Sequence, residues 1–168
     1  LLSLGGGDIA FLADDGSPST GGMSLFVNTL GQGVKKVASN FASRSRRTRE
    51  SRVLGLLSHD DVVYFAADDG VAGSELWRTE GHAATTARIS DSWPGPGAGL
   101  HDHDWGSGQS YGELQGLSLG RDLYFTAYRG DRKLALYKAD GSAAAPAFVR
   151  DLNLDGGFGW GLQGLGVA

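Results

Sequence analysis

The chain has 168 residues, of which 40% are hydrophobic and 20% charged, and its formal net charge is -4 at pH 7. This composition excludes a disordered protein, and the acidic balance argues against a general nucleic-acid binder. The sequence lacks cysteine, so a disulfide or a thiolate metal site cannot form. No apolar run approaches the roughly 18 residues that a membrane-spanning helix requires.

One sequence pattern occurs three times along the chain and begins a fourth time. Each copy opens with a Leu/Gly phrase, at 1–4, 53–56, 114–117 and 162–165. The phrase is followed by an apolar aromatic segment, an Asp/Gly turn and a second aromatic segment. Repeats of this length are typical of propeller blades or solenoids. The predicted copies are 1–52, 53–113 and 114–161, with a fourth starting at 162–168.

Within each copy the residue pattern favours strands. After the opening phrase, segments of β-branched and aromatic residues are separated by Asp/Gly turns, which predicts three further strands per copy. The second strands are predicted at 62–65 and 123–126, the third at 75–78 and 135–138, and the fourth at 87–90 and 148–151. The alanine run at 141–147 contains Pro146 and is too short for a stable helix. Four short antiparallel strands per copy predict an all-β fold of propeller blades.

A large aromatic residue stands at the same place in each third strand: Phe26, Trp77 and Tyr137. We expect each ring to lie between its own blade and a neighbour, where an aromatic side chain buries about 150–250 Å². Trp77, in the best-preserved copy, is expected to be largely buried. The Asp-Gly pairs that follow the strands are strong hairpin signals.

The second copy resembles a family of bacterial repeats named for the consensus Glu-Leu-Trp-x-x-Asp-Gly-Thr. It contains Tyr-Phe at 64–65, Asp-Asp-Gly at 68–70, Glu-Leu-Trp at 75–77 and Trp-Pro-Gly at 93–95. It departs from the consensus at Glu80 and His82. The third copy has Ala135 and Tyr137 for Glu and Trp, and the first keeps only Ser-Leu-Phe at 24–26.

This resemblance covers nearly the whole chain and implies a β-propeller in a secreted or surface-attached protein. Such repeats generally have no assigned activity, so it implies a fold and an extracellular or cell-surface location more than a chemistry. Because propellers close with about four to eight blades, three blades and one further strand predict partners that complete the ring. These are other segments of a longer chain or other subunits.

One segment has the chemistry of a metal site. His101, Asp102, His103 and Asp104 combine imidazole and carboxylate ligands, which suit zinc, copper or nickel. The i, i+2 spacing puts both histidines on one side of an extended segment. The surrounding loop is rich in glycine and does not preorganise ligands, so a solvated loop is the alternative.

The aspartate pairs at 14–15, 60–61 and 68–69 offer oxygen ligands to calcium. None has the alternating spacing of a dedicated calcium loop. The alternative is turn chemistry, because an aspartate side chain readily accepts hydrogen bonds from the backbone that follows it.

Two long connections, at 38–52 and 92–112, lie between copies and are predicted to emerge on one face. The first carries Arg44, Arg46, Arg47 and Arg49, which suit phosphate, a sulfated glycan or an acidic protein face. The alternative for these arginines is a solvated charged loop.

No combination of nucleophile and base is recognisable in the sequence. The segment 116–120 matches the letters Gly-x-Ser-x-Gly, but strands precede and follow it, whereas a nucleophile elbow leads into a helix. The sequence therefore favours a non-enzymatic scaffold or interaction module that binds a protein or glycan partner through loops between blades. The alternatives are a carbohydrate-active enzyme and a metal-dependent lectin on the same scaffold.

Overall fold

The computed structural model describes residues 1–16, 23–41, 54–97, 99–100, 114, 116–131 and 133–152. Within these residues the chain forms three antiparallel sheets, each built from four consecutive strands. The first sheet contains β1 (Leu2–Ser3), β2 (Ile9–Asp14), β3 (Met23–Thr29) and β4 (Gly33–Phe41). The second contains β5 (Leu54–His59), β6 (Val62–Asp68), β7 (Ser74–Thr79) and β8 (Ala87–Arg88). The third contains β9 (Gly116–Leu119), β10 (Asp122–Tyr128), β11 (Leu134–Ala139) and β12 (Ala147–Asp151).

The all-β class and the four antiparallel strands per copy are confirmed. The helices in the described residues are two three-residue 3₁₀ turns, at Gly5–Gly7 and Ala83–Thr85. Neither is long or apolar enough to cross a membrane.

Most strands extend one to three residues beyond their predicted bounds, and two strands differ in other ways. Residues 38–41, assigned above to a connection, are the end of the nine-residue strand β4. The strand β8 is shorter than predicted, because the backbone N–H groups of Ile89 and Ser90 both donate to the carbonyl oxygen of Leu76, at 2.8 and 3.3 Å. Two donors on one acceptor end the regular ladder and turn the chain away.

The central strand of the molecule is β6, whose seven residues are all buried. Alternation places Val63, Phe65 and Ala67 on one face, where they pack with residues of the first sheet. Val62, Tyr64 and Ala66 lie on the other face and pack with residues of the third sheet. The second sheet is therefore sandwiched between the other two.

The third-strand aromatic residues lie at equivalent positions, as predicted. Each is paired in register with a phenylalanine of the second strand and stacks on it: Phe26 on Phe11 at 5.6 Å, Trp77 on Phe65 at 6.2 Å, and Tyr137 on Phe125 at 5.6 Å. These equivalent pairs establish the repeat at the level of side chains.

The surroundings of the three rings differ. Trp77 packs against the core between the first two sheets, and Tyr137 against the core between the last two. Alternation puts Phe11 and Phe26 on the face of the first sheet that no other described sheet covers. Trp77 is only partly exposed, in agreement with the largely buried ring that the sequence predicts, and its indole Nε1 donates to the Ala67 carbonyl oxygen at 3.1 Å.

An ion pair ties the turn after each second strand to the fourth strand of the same sheet. The pairs are Asp15 with Lys36 at 3.2 Å, Asp69 with Arg88 at 3.6 Å, and Arg129 with Asp151 at 2.8 Å. The third sheet keeps this link but exchanges the positions of the acid and the base. This exchange places a guanidinium group beside the cleft described next.

Candidate functional site

The candidate site is a cleft between the second and third sheets, and one wall of it is fixed by Glu75. The Glu75 side chain is fully buried on β7. Its carboxylate accepts hydrogen bonds from the Ser90 hydroxyl and from the backbone N–H groups of Ser92 and Trp93, the last two at 3.1 and 3.2 Å. A buried carboxylate with several donors is a strong anchor, because bonds to a charged group are stronger than neutral ones.

The same turn is held from the other side by backbone contacts. The Ser90 hydroxyl accepts the N–H of Leu76 at 2.8 Å. Further along, the Leu100 N–H donates to the Ser74 carbonyl oxygen at 2.9 Å, and the Gly99 carbonyl oxygen accepts the Tyr128 N–H at 2.7 Å. The last bond joins this connection to β10. The beginning of the predicted 92–112 loop is thus an anchored bridge between two sheets.

The cleft between the anchored turn and the third sheet has a volume of about 390 Å³. Its walls combine aromatic rings, prolines and polar side chains. The residues that line it are Ser90, Asp91, Ser92, Pro94, Phe125, Arg129, Gly130, Asp131, Tyr137, Ala145 and Pro146.

Tyr137 and Phe125 give the cleft its aromatic surface. Phe125 is fully buried beneath the half-buried Tyr137, which also meets the ring of Phe148 edge-on at 6.0 Å. Burial raises the pKa of the Tyr137 hydroxyl, the nearby Arg129 opposing that effect. The hydroxyl therefore stays protonated at neutral pH and can donate a hydrogen bond to a ligand.

Arg129 provides the positive charge at the cleft, and its own partners fix it there. Its guanidinium contacts Asp151 at 2.8 Å and Asp131 at 3.3 Å, and its Cζ lies 5.3 Å from the centre of the Phe148 ring. Two carboxylates and an aromatic face neutralise and orient the group. Since Asp91 and Asp131 also line the cleft, positive charge is not in excess.

The metal and partner sites predicted from the sequence fall on residues that the structure does not describe. His101, Asp102, His103 and Asp104 are outside the described residues, and so are Arg44, Arg46, Arg47 and Arg49. In the part of the chain that the structure describes, no group of three or more His, Asp or Glu side chains is arranged to hold a metal ion. The zinc and calcium sites therefore stay predictions.

Three of the paired aspartates accept hydrogen bonds from the backbone that follows them, which is the alternative to calcium binding given above. Asp14 accepts the Gly16 N–H at 2.8 Å, and Asp68 accepts the Gly70 N–H at 2.7 Å. Asp69 accepts the N–H groups of the two residues after Gly70, at 2.9 and 3.0 Å. These carboxylates stabilise turns through their own backbone.

Sequence reasoning did not find the cleft. Glu75 was assigned to a third strand and a family motif, and Ser90 to a fourth strand, although together they hold the wall. Arg129 stands where the first two copies have Asp15 and Asp69. Its departure from the repeat was the one signal in the sequence that could have marked this position.

Comparison with known proteins adds no assignment. No protein-family model, no curated protein and no solved structure matches this chain.

Proposed function

We propose that the protein is a non-enzymatic, extracellular module of the propeller type that binds a neutral glycan in the cleft between its second and third sheets. The observation that carries this proposal is the combination of the Tyr137 ring with a polar rim that Glu75 holds in place. A rigid wall reduces the entropy that binding would otherwise cost.

The surface of the cleft suits the two sides of a sugar ring. A pyranose has apolar C–H faces, which can pack on Tyr137 and on the rings of Pro94 and Pro146. Its hydroxyl groups can donate to Asp91 and Asp131 and exchange hydrogen bonds with serine hydroxyls. A volume of about 390 Å³ lies within the usual range for small-ligand sites and is enough for one or two sugar residues.

The charges at the cleft favour a neutral glycan over an acidic one. Arg129 is already paired with Asp131 and Asp151, so it has little attraction left for a sulfate or carboxylate. The exposed Asp91 carboxylate at the rim, whose Arg88 partner lies 3.8 Å away, also adds negative charge there. An acidic partner would instead require the predicted arginine loop.

Location and assembly are part of the same proposal. The resemblance of 64–95 to the Glu-Leu-Trp-x-x-Asp-Gly-Thr repeats supports an extracellular or cell-surface protein. The stacked Phe11 and Phe26 repeat the geometry of the pairs that pack against a neighbouring sheet, and Ile9 beside them is 40% exposed. This face suits a further sheet, from the same chain or another subunit, that extends the array towards a propeller.

The test begins with a glycan array, followed by calorimetric titration of the best neutral oligosaccharide. Tyr137→Ala is expected to weaken binding about tenfold or more, because it removes the stacking surface. Tyr124→Ala is the matched control, a half-buried tyrosine of the same sheet that does not line the cleft. Equal binding by wild type and Tyr137→Ala, or a preference for sulfated glycans, would contradict the proposal.

A carbohydrate-active enzyme is the second candidate, because the carboxylates of Asp91 and Asp131 both line the cleft. Mass spectrometry of the bound oligosaccharide after prolonged incubation separates the two. We expect the oligosaccharide to remain intact. Cleavage that disappears in Asp91→Asn and Asp131→Asn would replace the binding function with catalysis.

A further inference from the structure

A second cleft lies where the first strands of the three sheets converge. Ser3 of β1, Ser58 of β5 and Ser118 of β9 all line it, and its volume is about 480 Å³. The remaining lining residues are Leu4, Gly5, His59, Asp60 and Asp61. We call this the inner cleft; the residues that line it are distinct from those of the proposed glycan site.

The three serines occupy one position of the repeat. They are paired in register with Ile9, Val63 and Leu123. Each of these partners precedes by two residues the phenylalanine that stacks on a third-strand aromatic ring. The repeat itself therefore brings three hydroxyl groups to the inner cleft, and Ser118 serves there as a strand residue rather than as a nucleophile.

An acidic turn forms another part of the wall. Asp60 and Asp61 join β5 to β6 and have left-handed backbone conformations, with φ of 46° and 62°. Aspartate is one of the few residues that tolerate this region, and two such residues are typical of a tight hairpin. A Cβ added at Gly5 would lie 2.1 Å from the Asp61 Oδ1 atom, so the glycine allows that carboxylate to lie against the first sheet.

The buried imidazole of His59 has a nitrogen atom without a hydrogen-bond partner. Its side chain is only 9% exposed, and its Nε2 atom has no hydrogen-bond partner. The nearest carboxylate oxygen, Asp60 Oδ2, is 3.8 Å away, beyond hydrogen-bond distance. An unsatisfied buried nitrogen is costly, so it points to a group that occupies the cleft when the protein functions.

We propose that the inner cleft binds a primary ammonium group. Such a group has three donors and no acceptor. The cleft offers two carboxylates, three hydroxyl oxygens and the His59 nitrogen, and no lysine or arginine is among the described residues that line it. The ammonium is supplied either by a lysine side chain of a protein partner or by a free polyamine.

Putrescine is the probe for this site, and the His59 imidazole resonances report where it binds. Asp60→Asn together with Asp61→Asn is expected to weaken binding about fivefold or more, because two attractions at a partly exposed site are lost. Asparagine also tolerates the left-handed region, so the turn is kept. Ser58→Ala is expected to weaken binding about twofold, and 0.5 M salt to weaken it several-fold.

Asp91→Asn with Asp131→Asn is the matched control, since it removes two carboxylates from the other cleft and should leave putrescine binding unchanged. Thermal melts confirm that each variant folds. A peptide with one internal lysine, compared with the same peptide acetylated on that lysine, distinguishes a protein partner from a free polyamine.

Two results would overturn the proposal. One is putrescine binding that the double asparagine variant leaves intact. The other is calcium binding at the same residues more tightly than putrescine, which would make the inner cleft a metal site. Loss of glycan binding has no bearing here, because no residue is shared between the two clefts.

Discussion

The two interfaces between sheets contain equivalent aromatic residues, but side chains fill one interface more completely than the other. Between the first and second sheets, the rings of Phe41, Phe65 and Trp77 form one cluster, with centres 5.5 to 6.2 Å apart. Between the second and third sheets, Tyr137 stands at the position of Trp77, and an open cleft of about 390 Å³ remains beside it. The smaller aromatic residue accompanies the more open interface.

A second substitution separates the same two copies. Glu75 of the second sheet is buried and fastens the turn at 90–93, whereas Ala135 stands at the equivalent position of the third sheet and is also buried. The well-preserved copy thus supplies a rigid wall, and the divergent copy faces it with an unfilled space. The candidate site therefore lies where the residues of the third copy differ from those of the second, and not where the two copies agree.

The largest expected effect tests the closed interface. Trp77→Ala should lower the free energy of unfolding by about 3–5 kcal/mol, because it removes a ring packed on Phe41 and Phe65. Tyr137→Ala should cost less, since that ring borders an open cleft. Chemical denaturation of both variants gives the comparison. Equal losses would show that the two interfaces are energetically alike.

The next effect concerns the anchored wall. Glu75→Gln should destabilise the protein by about 2–3 kcal/mol, because the amide NH₂ group cannot accept from the donors that the second carboxylate oxygen satisfies. It should also weaken glycan binding by loosening the turn at 90–93. Asp91→Asn is the stability control, as its exposed carboxylate lies on the same turn. A melting temperature unchanged by Glu75→Gln would show that Glu75 does not anchor the turn.

A smaller effect is expected from making the two interfaces more alike. Tyr137→Trp should place a larger ring in the cleft, change stability by less than about 1.5 kcal/mol, and weaken binding of the oligosaccharide. Tyr137→Phe keeps the ring size but removes the hydroxyl group, so it separates the effect of ring size from the loss of the hydrogen bond. Glycan affinity that survives the tryptophan would mean that the ligand does not use this side of the cleft.

The smallest effect is a pH dependence of stability that comes from Asp69, at the turn after the second strand of the second sheet. Burial tends to raise the pKa of Asp69, but N–H bonds from Ala72 and Val71 and the charge of Arg88 outweigh it, so the pKa is lowered. The stabilisation is complete above the unfolded-state value of about 3.9 and is lost as the pH falls through the folded-state value. At the same position the third sheet has the base Arg129 in place of an acid.

Asp69→Asn removes the ion pair while its amide oxygen can still accept the turn hydrogen bonds. At pH 7 the variant should be less stable than wild type by up to about 1 kcal/mol, and the difference should shrink as the pH falls through the folded-state pKa of Asp69. Thermal melts across pH 2–7 measure this. A difference that persists at pH 2 would assign the effect to the turn and not to the charge.

Much of the fold could be predicted because the repeat is local. Alternating aromatic residues predicted the second and third strands, and the equivalence of Phe26, Trp77 and Tyr137 followed from counting along each copy. The fourth strand β4 was missed because most of its residues are polar or small, with Lys35 and Lys36 near its start, and its single aromatic residue, Phe41, comes only at its end. The early end of β8 depends on two N–H groups sharing one carbonyl, which no composition pattern encodes.

The candidate sites were beyond sequence reasoning because they join residues that are distant in the chain. Glu75 meets Ser92 across a turn, and the cleft then needs Tyr137 from another sheet. In the same way, Ser3, Ser58 and Ser118 come from three copies and share the inner cleft only once their sheets are packed side by side.

The sequence by itself determined the local structure of this protein: strands of alternating residues, aspartate turns and one aromatic position per copy, all set by interactions within a few residues or one hairpin. Only the tertiary structure decided which faces of β6 meet which sheet, where Trp77 fills a gap, and where Tyr137 leaves one open. The physical reason is that an empty or filled space is a property of two packed surfaces, and each surface comes from a different copy of the repeat.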